Sequence, residues 1–158
     1  MIGLVATVLG GSSVPSAAQA WDENNGVGLA REIIDKCLAF PATASAERCW
    51  KQTIDGCADD MPSHGNQREL NFCSGLARLA WGQRMAEAYE RVLRVAPVAD
   101  RPAFIQANEN WRAWADGFCA PYRNFSGTIA ALLFNTCHGK HAAQWSEDLE
   151  NFAWWYDH

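Results

Sequence analysis

Cysteine placement constrains this chain more than any other feature. Six cysteines occur, Cys37, Cys49, Cys57, Cys73, Cys119 and Cys137, none of them in the first twenty residues. In an exported chain an even count reads as three disulfides. The first twenty residues read as the export signal. Ile2 to Leu9 is an uncharged apolar run, Gly10 to Pro15 interrupt it, and Ala18-Gln19-Ala20 offers the small residues a signal peptidase recognises, so cleavage is expected after Ala20. No Lys or Arg precedes that run. It is also shorter than the ~20 apolar residues a bilayer span requires. Residues 21–158 remain, a length that suits one domain with no membrane span.

Two other uses of cysteine fit less well. Structural zinc favours tight ligand pairs, and the one compact candidate is Cys137-His138-x-x-His141. Redox catalysis is expected to show a Cys-x-x-Cys, which the chain lacks. No metal and no cofactor is expected. Thirteen Lys and Arg stand against eighteen Asp and Glu, a formal charge of −5, all carried after residue 20. Such a domain is a poor electrostatic match for nucleic acid. Its complement is a cationic protein, attracted chiefly through the association rate.

The apolar pattern is helical nearly throughout. Leu29, Ile33, Ile34 and Cys37 recur at helical spacing before Pro41. Ala46, Cys49, Trp50, Thr53, Ile54 and Cys57 form a second stripe. After the turn-rich DDMPSHGNQ segment, Asn66 with Glu69 three residues on opens a long third helix, striped by Leu70, Cys73, Ala77, Ala80, Trp81, Ala88, Val92 and Val95. Its Glu87 with Arg91, and Glu90 with Arg94, sit at i, i+4 and predict a solvated face. Asp100 before Arg101-Pro102 opens a fourth helix, with Phe104, Asn108, Trp111, Ala115 and Phe118 on one side. Pro121 ends it. Ser126 or Thr128 starts the last helix, which is expected to break at Gly139, leaving His138 and His141 on the surface. No sustained strand alternation occurs. The expected fold is all-α, a disulfide-bridged bundle of four to five helices.

Six cysteines allow 15 pairings, and spacing alone does not choose among them. Their positions on the helices favour neighbour pairing, Cys37–Cys49, Cys57–Cys73 and Cys119–Cys137, each linking consecutive helices. Closing a loop of this size is worth ~3 kcal/mol in the chain-entropy view. In a tight antiparallel hairpin Cys119 would face a residue nearer Ile129 than Cys137. The Pro121–Gly127 segment is therefore expected to be an ordered excursion fastened at its base.

The stretch CADDMPSHGNQRELNFCSGLARLAWGQRMAEAYERVL, followed by NENWRAWADGFCAPYRNFSGTIAALLFNTC, resembles the lysozyme inhibitor LprI-like N-terminal domain family. These are small, exported, cysteine-bridged helical domains of bacteria. The pattern falls on Cys57, Cys73, Trp81, Tyr89, Trp111, Asp116, Cys119, Ser126-Gly127-Thr128 and Cys137. The likeness covers roughly residues 30–150. It departs at Ala115, where the motif has Arg, at Gly82 and Ala86, where Asp and Asn are common, and at Ala142 and Trp145, where Thr and Arg are expected.

The resemblance implies a periplasmic or secreted protein that binds another protein, with a cationic lysozyme as its target. The alternative is a structural or small-ligand or glycan-binding envelope module with no enzyme target. Enzymatic activity is not expected. Glycoside hydrolysis needs two converging carboxyl groups, and no motif here makes any converge. Ser126 lacks the glycines of a nucleophile elbow and reads as a helix cap. Asp116 reads as a hydrogen-bond partner between helices. The acidic residues Glu147, Asp148 and Glu150 read as a solvated face, and Trp50, Trp81 and Trp111 as core. If the chain does inhibit, Tyr122, Arg123, Asn124 and Ser126 of the bridged loop are the expected contacts.

Overall fold

The computed structural model describes residues 21, 22, 24–40 and 45–158. The expected export signal and Pro41 lie outside the described residues. Five α-helices and no strand occur among those described: α1 (Gly26–Leu38), α2 (Ala46–Asp59), α3 (Gln67–Val95), α4 (Arg101–Cys119) and α5 (Ile129–Asp157), with a 3-10 segment at Ala120–Asn124. Disulfides join Cys37 to Cys49, Cys57 to Cys73 and Cys119 to Cys137.

Local chemistry sets the helix starts. Ser45 accepts a hydrogen bond from the Arg48 N–H, and the Glu147 carboxylate of α5 accepts one from the Ala46 N–H, so α2 begins under two acceptors. Asn66 and Glu69 form a complete capping box on α3. Asp100 stands before Arg101-Pro102 but does not cap α4; its carboxylate accepts from the Tyr156 hydroxyl instead. Thr128 precedes α5 and makes no side-chain cap either. Ser126 is exposed and stands outside the helix rather than capping it.

The two long helices, α3 and α5, have 29 residues each, or ~43 Å. They lie side by side and run parallel: Arg78 meets Asn135 near one end, and Arg91 meets Glu150 near the other. Small residues let them approach closely, Ser74, Ala77, Ala80 and Ala88 on α3 and Ala142, Ala143, Ser146 and Ala153 on α5, while Gly139 admits Trp50 of α2. Fully buried Trp50, Trp81, Ile34, Leu149 and Val92 fill the space between this pair and the α1–α2 hairpin. Trp21 joins the same core and ties the segment before α1 to the end of α2 through its Nε1–H to Asp60.

Helix α4 returns antiparallel along the outside of α5. It buries Asn108, Ala115 and Cys119. Phe104 packs edge-on against Phe152 and Tyr156, and Trp111 stacks on Trp145 at 6.3 Å. The Trp145 Nε1–H also donates to the side-chain Oδ1 of buried Asn108. Trp111 is thus half-buried in a secondary layer rather than in the main core.

Three further expectations need correction. Helix α5 runs unbroken through Gly139, because that glycine is a packing site rather than a stop. Consequently His138 and His141 lie mid-helix and are half-buried. Phe118 is 53 % exposed; Cys119 takes the inward position on α4. The expected solvated faces are exposed at Glu87, Glu90, Arg91, Arg94, Glu147 and Asp148, while Glu150 is half-buried; Glu87 and Glu150 also pair across helices, to Arg31 and Arg91.

Candidate functional site

The Cys119–Cys137 bridge joins the last residue of α4 to the third turn of α5, with Cα atoms 5.7 Å apart. The chain between them overshoots the end of α4. Pro121 opens the 3-10 segment with its fixed φ, and Gly127 supplies a backbone φ of +82°, a conformation strained for any residue with a Cβ. Asn71 of α3 grips the far end by donating to the Thr128 carbonyl. The segment is therefore held at its base by a disulfide and at its exit by a hydrogen bond to a different helix.

Within it, the Tyr122 ring stacks on Phe125 and is half-buried. The Arg123 guanidinium lies 4.0 Å above the Phe134 ring of α5, a cation–π contact worth ~0.5–1 kcal/mol at an exposed site. Arg123 itself is exposed and makes no ion pair among the described residues. Asn124 and Ser126 are exposed at the tip.

The remaining motif positions do not converge here. Trp81 is core and Tyr89 packs beside it on α3. Asp116 is exposed and lies 3.4 Å from His138 Nε2, an interhelical charge contact whose geometry falls short of a hydrogen bond. Burial holds the His138 imidazole below the ordinary histidine value; Asp116 opposes this, while Arg78, Arg123 and His141 reinforce it.

Beside the bridge the structure sets Trp114, which spacing did not single out, against Phe118 and His141. Trp114 stacks on Phe118 at 5.2 Å, and both rings meet His141 edge-on. A cavity of about 340 Å³ opens there, lined by Phe118, Tyr122, Leu133, half-buried Cys137, His141 and Gln144. It adjoins a second cavity of about 590 Å³ between α2 and α5, and the two share Glu47, Thr136 and Lys140. Lys140 and Glu47 form an ion pair at 3.1 Å. The pair spans 93 residues of sequence, so no local pattern could have announced it. Spacing placed Phe118 on the inward stripe of α4, and the structure turns it outward instead.

Cys119, Cys137 and His141 are the described residues whose donor atoms cluster as a metal site would need. Both sulfurs are spent in the bridge, which leaves one imidazole and no ligand set for zinc. No described helix is long and apolar enough to cross a membrane.

No curated protein and no solved structure matches the chain. A family model does: the one described as lysozyme inhibitor LprI matches residues 57–149, which takes in α3, α4, the bridged loop, most of α5 and two of the three disulfides. That span is more than half of the chain, and this protein belongs to the lysozyme inhibitor LprI family.

Proposed function

We propose that this protein works outside the cytoplasm as a binder and inhibitor of a lysozyme-type cell-wall hydrolase, docking through the loop between Cys119 and Cys137. The observation that carries the reading is Arg123, an exposed and unpaired guanidinium propped on Phe134 in a loop pinned at both ends. A glycosidase cleft presents two carboxyl groups, one of which acts as an anion. A planar guanidinium matches a carboxylate better than an ammonium does. Pinning lowers the entropy lost on docking. Tyr122 and Phe125 supply adjoining aromatic surface, while Asn124 and Ser126 offer hydrogen bonds at the tip. The chain's charge of −5 draws in a cationic partner from a distance, and Arg123 gives the contact point the opposite sign. Three disulfides, together with the family, support a location beyond the reducing cytoplasm, in the periplasm or the medium.

The test is residual muramidase activity on cell-wall substrate against graded amounts of the oxidised protein, using a panel of lysozymes. Saturable, stoichiometric loss of activity is expected with at least one of them. A flat titration throughout would favour an envelope module with no enzyme target.

A further inference from the structure

The two adjoining cavities beside the loop form one groove along the α2–α5 face, which shares Tyr122 with the proposed inhibitory loop but contains none of Arg123, Asn124, Phe125 and Ser126. Its walls are specific in what they offer. One end carries the aromatic surface of Phe118 and Tyr122 with Leu133 between α4 and α5. The middle carries Thr136 and the Lys140–Glu47 pair. The far end carries Arg48, Lys51, Asp55 and Ile54 of α2.

Three ligand classes fit poorly. At the aromatic end and the middle the charges compensate each other, Lys140 with Glu47, and Lys51 pairs with Asp55 beyond them; Arg48 at the far end is the one lining charge with no ion pair among the described residues, so the half of the groove beside Phe118 does not select an anion or a cation. Lipid tails would strand those charged groups without water. A peptide that docks as an added strand needs a sheet edge, and no strand exists among the described residues to offer one. The lining best suits an elongated neutral ligand with an apolar face for the aromatic end and hydroxyl or amide groups along its edge. Ion-paired carboxylate and ammonium groups, a threonine hydroxyl and the Gln144 amide supply both donors and acceptors for such groups. The volumes, about 340 and about 590 Å³, fall in the ~300–1,000 Å³ range of small-molecule sites.

We infer that this groove binds a neutral oligosaccharide, its apolar ring face seated on Phe118 and Tyr122 and its hydroxyl edge along Glu47, Lys140 and Gln144. This does not depend on inhibition by the loop. The probe is chitotetraose, with cellotetraose as a second neutral chain and a heparin tetrasaccharide as the charged comparison. Each is titrated into the ¹⁵N-labelled oxidised protein, and amide shifts are recorded.

Saturable shifts at Glu47, Thr136, Lys140 and Gln144 are expected with at least one neutral chain, and weaker binding with the heparin fragment. Phe118→Ala should weaken binding at least tenfold, as should Glu47→Gln, which alters an exposed side chain and leaves the core intact. Arg123→Ala should leave it unchanged, which separates this site from the inhibitory loop. The inference is overturned by the absence of saturable shifts with both neutral chains. It is equally overturned by shifts centred on Trp154 and Trp155, by tighter binding of the heparin fragment, or by unchanged affinity in both groove variants.

Discussion

The six-membered ring of Trp50 lies directly on the backbone of Gly139, so that a Cβ built at residue 139 would fall inside the indole. Trp50 is 2 % exposed. An alanine in a helix interior ordinarily gains ~0.5–1 kcal/mol over glycine. Here that gain should be overwhelmed by overpacking, typically ~1–3 kcal/mol and more where nothing can shift. Gly139→Ala is expected to be net destabilising, whereas Gly82→Ala on α3, with nothing within 4 Å of the new methyl, should be stabilising by ~0.5–1 kcal/mol. Urea midpoints of the two variants, read against the parent, should move in opposite directions.

Arg123→Ala should weaken inhibition of a sensitive lysozyme more than tenfold, equivalent to more than ~1.4 kcal/mol. Folding stability should fall by no more than the lost contact with Phe134, ~0.5–1 kcal/mol. Inhibition constants and thermal midpoints for the same preparations distinguish the two effects. Equal inhibition constants would remove Arg123 from the contact.

The three bridges should not be equivalent toward reductant. Cys137 is half-buried and lines a cavity, while Cys37, Cys49, Cys57, Cys73 and Cys119 are all buried. Attack by a thiolate needs access to a sulfur, so graded dithiol followed by alkylation and peptide mapping should label Cys119 and Cys137 first. Cys119→Ser should cost ~2–5 kcal/mol and leave Cys137 open to alkylation. Simultaneous labelling of all six would contradict the accessibility argument.

His138 should make stability depend on pH. Burial holds its folded value below the ordinary 6.5, with Asp116 opposing and Arg78, Arg123 and His141 reinforcing. The unfolded chain therefore takes up this proton first as the pH falls. The stability contributed by the neutral ring is complete above 6.5 and is lost as the pH drops through that value toward the folded one. His138→Gln should flatten that part of the stability profile. Imidazole proton shifts should titrate His138 below 6.5; titration above it would show that Asp116 outweighs burial. Glu69 acts in a separate, more acid window. Desolvation raises its carboxyl, but N–H groups of Gly65, Ser63 and Asn66 outweigh this and hold it below 4.5, so its contribution is lost only as the pH falls through the lowered value.

Periodicity alone placed Trp50 and Trp81 in the core, because one helical face repeats regardless of what covers it. The capping box of Asn66 and Glu69 was equally legible, since both partners lie within one turn. Gly139 was misread for the complementary reason. A glycine that ends a helix and one that admits a tryptophan are the same letter, and the tryptophan sits 89 positions earlier. The loop residues Tyr122 and Arg123 stood out as a polar insertion between cysteines, yet nothing local revealed Phe134 beneath the guanidinium.

The sequence by itself determined the all-helical class, the helix stripes and the chemistry offered by the bridged loop, all set by interactions within a few residues. Tertiary structure decided the parallel seating of α3 on α5, the pairing of Lys140 with Glu47 and the groove that this pair crosses. These depend on which stripe meets which, a choice made by side-chain volume and close packing across distant segments.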